Sequence, residues 1–241
     1  MYPNFTTFAF MTYQEFLQIV MYEDNHLLVV NKPSGMLVQG DQTGDTPISE
    51  HAKEYIAKKY DKPGKVFCGT PHRIDRPVSG TLVLARTSKA LERVSKLFHD
   101  GEVDKTYWAI TEKRPPKTED TITHWLKKDS NKNLTHAHMS DKKGGLKSTL
   151  SYRLVRALGD RNLIEVKPHT GRPHQIRVQL ARIGCPIIGD VKYGFPKPTK
   201  DGSIALHARA ISFVHPVKKE PFNVVSPIPK AFVWSFFEDV I

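Results

Sequence analysis

Apolar positions along this chain follow two rhythms. The run HLLVVNKPSG (26–35) is continuously apolar and then meets Pro33 and Gly35, which predicts a buried strand closed by a turn. GTLVLAR (80–86) is a second such run, of the kind covered on both faces. In ISEHAKEYIAKKY (48–60) the apolar residues Ile48, Ala52, Tyr55 and Ile56 recur at helical spacing. SKALERVSKLFHDG (88–101) places Leu91, Val94, Leu97 and Phe98 on one stripe, with Ser88 as cap and Gly101 as terminator. KTYWAIT (105–111) reads as a strand. YRLVRAL (152–158) and NLIEVKP (162–168) read as a hairpin turned at Gly159-Asp160. PHQIRVQLARIG (173–184) predicts a helix with Pro173 in its first turn, Gly184 at its end and a core stripe of Ile176, Leu180 and Ile183. ALHARAISF (205–213) predicts another strand, and PKAFVWSFFEDVI a closing amphipathic helix.

Two stretches break the pattern. Residues 1–20 are aromatic and uncharged apart from Glu15, which suits an extension packed on a main domain or a partly ordered tail. Between Arg114 and Lys147 the periodicity dissolves into a lysine-rich segment with a Gly-Gly pair at 144 and 145, expected to be a basic hairpin or a mobile arm. Strands separated by long insertions, with few helices, predict an α+β fold. Its sheet is expected to be mixed and largely antiparallel, with flanking helices and loops.

Charge narrows the partners. A formal net charge of +11 on 241 residues favours a polyanion, nucleic acid before anionic membrane. Cys68 and Cys185 lie too far apart for a disulfide scaffold or a metal motif, which points to a reducing compartment. No Lys or Arg precedes Lys32, so no basic leader is expected, and no run of about 18 apolar residues predicts a membrane span. A cytoplasmic protein is the expectation.

Candidate chemistry concentrates in two places. In PHRIDRPVSG, Asp75 has Arg73 two positions before it and Arg76 directly after. If extended, Arg73 and Asp75 project to one face and Ile74 to the other. The acid then sits at the mouth of a buried strand, on a turn braced by Pro77, Ser79 and Gly80. A carboxylate there either caps its own turn or is held ionised for chemistry. In TGRPHQIR, Arg172 precedes the helix and His174 and Arg177 lie off its core stripe, a donor surface fit for phosphate or carboxylate. His136 and His138, with His124 nearby, are not expected to bind a metal, because that needs a third ligand and a rigid scaffold.

The motifs themselves have a resemblance. HRIDRPVSG is similar to the H-R-L-D-x-x-T-S-G signature of the RluA-type pseudouridine synthases, with Ile74 for Leu and Val78 for Thr. EDNHLLVVNKPSGMLV, DKTYWAI, TGRPHQIRVQLARIGCPIIGDVKYG and IALHARAISFVHP resemble further family blocks in the family's order, from about Tyr22 to Val217. The small N-terminal RNA-binding module of many members is not expected in residues 1–20.

The resemblance implies a pseudouridine synthase catalytic fold over 21–241, with a basic insert at about 113–147. It implies an enzyme that isomerises uridines of ribosomal or transfer RNA without metal or organic cofactor, as a monomer. By residue match Asp75 is the catalytic aspartate, Tyr107 the active-site tyrosine, and Arg177 the basic residue paired with the aspartate. Arg73 matches the arginine that enters the RNA stack where the target nucleotide leaves. Arg172 and His174, with Lys127, Lys128, Lys142, Lys143 and Lys147 of the insert, are the expected RNA contacts. Two other classes compete: a silent RNA-binding protein on this scaffold, and a glycoside or nucleoside hydrolase. The hydrolase lacks a good second acid: Glu102 and Asp104 are expected in a turn and Asp190 in a Gly-Asp loop.

Overall fold

The computed structural model describes residues 11–141 and 144–240. It divides into two compact units: the described residues up to Asp104 together with Ala208–Pro227, and Lys105–His207 together with those from Ile228 on.

In the first unit, β1 (Val20–Glu23), β2 (Leu27–Lys32), β3 (Ser79–Ala85), β9 (Leu206–Val214) and β10 (Pro221–Val225) lie side by side in that order. The pairings β1–β2, β2–β3 and β9–β10 are antiparallel. Both apolar runs are strands buried on two faces, as predicted. Val29 sits opposite Val83 and Leu28 opposite Leu84, and all four are inaccessible. One face joins Leu27, Val29 and Val83 to Val94, Val103, Ile211, Phe213 and Phe222 in a single cluster. Helix α2 (Ile48–Lys59) buries the predicted Ile48, Ala52, Tyr55 and Ile56. Helix α1 (Tyr13–Ile19) packs on it, with Tyr13 and Phe16 against the Tyr55 ring at 5.4 and 5.0 Å. Residues 1–10 of the expected extension lie outside the described residues.

Helix α3 (Ser88–Asp100) ends at Gly101 with φ +78, as its terminator requires. Its cap is Thr87 rather than Ser88: the Thr87 hydroxyl accepts from the Ala90 amide, and Ser88 is already helical. Gly80 is needed for space. Its φ is +115, and a Cβ there would stand 2.3 Å from the Ala208 carbonyl oxygen.

The second unit is an antiparallel sheet in the order β4-β8-β7-β5-β6. Its strands are β4 (Asp104–Thr111), β5 (Glu119–Asp129), β6 (Leu134–His138), β7 (Leu146–Leu158) and β8 (Arg161–Pro168). The lysine-rich segment is therefore a hairpin; the alternative of a mobile arm does not hold for its described residues. β7 starts six residues before the apolar pattern does, because its first half buries only Ser148 and Leu150 while Leu146 at its start is exposed. Gly145 fits the return: a Cβ there would lie 2.8 Å from the Trp125 carbonyl carbon. Lys142 and Lys143 lie outside the described residues.

Helix α4 spans Gln175–Arg182, shorter than predicted. Pro173 stays outside it, and His174 precedes it in the left-handed region at φ +54. The closing segment is not the predicted long helix. Only Phe232–Ser235 is helical (α5), followed by a 3-10 turn at Glu238–Val240. Trp234 and Phe237 are buried while Phe232 is exposed, so its apolar residues do not share one helical face.

Candidate active site

The Asp75 turn belongs to the first unit and is fastened to the turn after β2. The Asp75 carbonyl accepts from the Val78 amide at 3.0 Å. The Gly35 amide donates to the Arg76 carbonyl at 2.8 Å, and the Ser34 hydroxyl to the Pro77 carbonyl at 2.8 Å. Arg76 reaches back with Nε to the Gly35 carbonyl at 2.9 Å and Nη2 to Asp45 at 2.6 Å. Ile74 and Val78 anchor the turn in the core, and the His72 ring accepts from the Val83 amide while stacking on Phe98 at 4.3 Å. Asp75 itself is half-buried, and Arg73 points outward, exposed.

Beneath this turn lies Lys32, a fully buried cation. Its ammonium donates to the carbonyls of Pro33 and Met36 at 2.8 Å and of Arg76 at 3.3 Å. Burial pushes its pKa down to about 7, and the Asp75 charge pulls the other way. Three carbonyl acceptors match the three donors of the protonated form; a neutral amine has only two.

The second unit supplies the other matched residues. Tyr107 sits half-buried on β4, opposite Val166, and by register it shares a sheet face with Tyr152, Ile122 and His124. Helix α4 packs on that same face: Gln179 bonds to His124 Nδ1 at 3.1 Å and to the Ser148 carbonyl at 3.1 Å. Arg177 is 5% exposed. Its Nε and Nη2 donate to the two oxygens of Asp190 at 2.7 and 2.8 Å, and its guanidinium lies 5.1 Å from the Tyr193 ring centre. The Tyr193 hydroxyl accepts from the Thr135 amide at 2.9 Å and meets His174 Nδ1 at 2.7 Å. Burial raises the Tyr193 pKa, which keeps that hydroxyl protonated.

These two assemblies are a carboxylate on a rigid turn and a buried guanidinium held in one orientation by its own acid. Residues 26–182 match the family model described as RNA pseudouridylate synthase. The chain belongs to the RNA pseudouridylate synthase family. An RNA pseudouridine synthase from Zymomonas mobilis is 33% identical over 88% of this chain and 94% of its own length. The ribosomal large subunit pseudouridine synthase C of Buchnera aphidicola is 31% identical over 90% of this chain and 69% of its own. In fold the synthase resembles the human RNA pseudouridylate synthase domain containing 4, with a TM-score of 0.77, 24% identity, and 93% and 94% of the two chains covered.

The remaining expected contacts of the synthase are scattered. Arg172 is exposed just before α4, and its amide donates to the Gln175 side chain. His174, expected to face substrate, is turned onto Tyr193. Lys127 and Lys147 are exposed on one face of the second unit's sheet, while Lys128, opposite Thr135, is on the face that carries α4. His136 and His138 share the first face and His124 the second, so these three cannot close on one metal ion. No described helix is long and apolar enough to cross a membrane.

Sequence reasoning missed Lys32, Tyr193 and the role of Asp190. Lys32 had one signal, a lysine at the end of a strand that is apolar over Leu27–Val30. Asp190, 1% exposed, had none, because its partner lies thirteen residues away across a loop.

Proposed function

We propose that this synthase converts uridine to pseudouridine in large-subunit ribosomal RNA, with the Asp75 carboxylate acting on a nucleotide turned out of the RNA. The observation that carries this is the Asp75 turn, a half-buried acid locked by bonds to the 33–36 turn and underlain by a buried cation. A surface ion pair needs no such scaffold. The bond from ribose C1′ to uracil N1 breaks, the uracil rotates, and C1′ bonds to C5. The C5 proton leaves and N1 takes one up, so the reaction is an isomerisation. Attack of the carboxylate on ribose, attack on the base, or removal of a ribose proton all start from the ionised acid.

Family resemblance supports assigning Arg177 to hold Asp75 ionised and aligned, Tyr107 to stack on the base or accept the C5 proton, and exposed Arg73 to fill the vacated stack. Both oxygens of Asp190 accept from Arg177, so that acid is not available as the second carboxylate of a glycosidase. The relatives named for ribosomal substrates are bacterial and support ribosomal over transfer RNA; action as a monomer in the cytoplasm belongs to the same proposal.

The test is tritium release from RNA labelled at C5 of uridine. Ribosomal RNA made in cells lacking this protein should release tritium with the wild type, with no free uracil. Asp75→Asn should release none while binding the RNA as before. Free uracil, or wild-type turnover by Asp75→Asn, refutes the proposal.

A further inference from the structure

We infer that Trp125, with Lys127 and Lys147, forms a second RNA contact, a stacking platform for an unpaired nucleotide on the sheet face opposite α4. The inference rests on the reading of this chain as an RNA enzyme but not on Asp75.

The register builds the platform. Trp125 pairs with Lys147 across β5–β7 and with His138 across β5–β6, and Lys127 pairs with His136. Residues directly opposite one another share a face, so all five side chains project together. That face is the one away from α4, since His124 and Ser148, of the other parity, meet Gln179. Along the same row the hydroxyls of Thr123 and Thr149 bond at 3.0 Å, and those of Thr121 and Ser151 at 2.8 Å. Trp125 is half-buried, Lys127, Lys147 and His136 are exposed, and β6 is the last strand of this sheet.

The chemistry selects the occupant. A planar aromatic between two lysines, bordered by hydroxyls and imidazoles, offers a π-face and backbone cations together. No aliphatic side chain borders Trp125 in this row, so the apolar surround of a protein hot spot is lacking. The acids of β5 on this face are Asp129, four residues from Trp125 and about 13 Å along the strand beyond Lys127, where it accepts from the Lys132 amide, and Glu119, six residues away at the other end. Lys127 and Lys147 against the single acid Asp129 leave this end of the platform basic, which suits a phosphate backbone.

The experiment uses the full chain and a fluorescein-labelled twelve-uridine strand, with affinity read by anisotropy across a range of salt. Trp125→Ala should bind about 5- to 100-fold more weakly, and Trp125→Phe should keep most of the affinity. Lys127→Ala with Lys147→Ala should lower the salt slope by about 1.4, whereas Lys96→Ala on α3 leaves it unchanged. Trp108 and Trp234 are buried, so quenching of tryptophan emission by the unlabelled strand should disappear in Trp125→Phe. Affinity within twofold in Trp125→Ala, or quenching retained in Trp125→Phe, overturns the inference. Loss of affinity in Trp125→Ala together with no tritium release by the wild type leaves the platform standing and removes only the catalytic reading. Tritium release with unchanged affinity does the reverse.

Discussion

Replacing Lys32 by Met tests whether a buried cation holds the Asp75 turn. The change keeps the stem's volume and removes only the ammonium. The carbonyls of Pro33, Met36 and Arg76 then lose their donor inside the core. A hydrogen bond to a charged group is worth about 1.5–3 kcal/mol, and two of these bonds are at 2.8 Å. Against that stands relief of the cost of burying the charge. A net loss of about 2–4 kcal/mol follows, a fall in Tm of roughly 5–15 °C at this size. The pH dependence is the sharper signature. Burial lowers the folded pKa to about 7, against an ordinary 10.5. Between those values the unfolded chain binds the extra proton, so the contribution of Lys32 to stability rises with pH through that window. Below pH 7 both states are protonated, and the contribution is flat and at its smallest. The gap in stability between wild type and Lys32→Met, from urea melts at pH 6, 8 and 9.5, should therefore widen with pH, by up to about 1.4 kcal/mol per unit. Subtracting the variant cancels the titration of other groups. A gap that stays constant or closes as pH rises refutes the argument, as does a variant as stable as the wild type.

Two further substitutions probe the frame. Asp190→Ala leaves the Arg177 guanidinium buried without its bidentate partner and should cost about 3–5 kcal/mol; adding Arg177→Met should recover most of the stability, read by urea midpoint, but not the turnover. A double variant no more stable than Asp190→Ala contradicts that account. Gly80→Ala forces a Cβ against the Ala208 backbone at a φ that L residues rarely adopt; a loss of about 3 kcal/mol or more is expected, and a thermal midpoint within a degree of wild type rules it out.

Local pattern determined much of this protein. The two apolar runs, the stripes of α2 and α3, the Gly159-Asp160 hairpin and the Gly101 terminator follow from nearest neighbours along the chain, where burial period and turn chemistry act over a few residues. The Asp75 block and its family were legible because the residues are contiguous. Tertiary structure alone decided the rest. The lysine-rich segment became strands because β7 offers β5 a partner, and pairing energy between distant segments leaves little periodic trace when one face of the hairpin stays polar. The pairing of Arg177 with Asp190 was not legible, because helical spacing does not register a carboxylate arriving from a loop. Lys32 and Asp190 are buried charges, tolerable only where acceptors or donors from other segments converge on them, and that convergence exists only once the chain has folded.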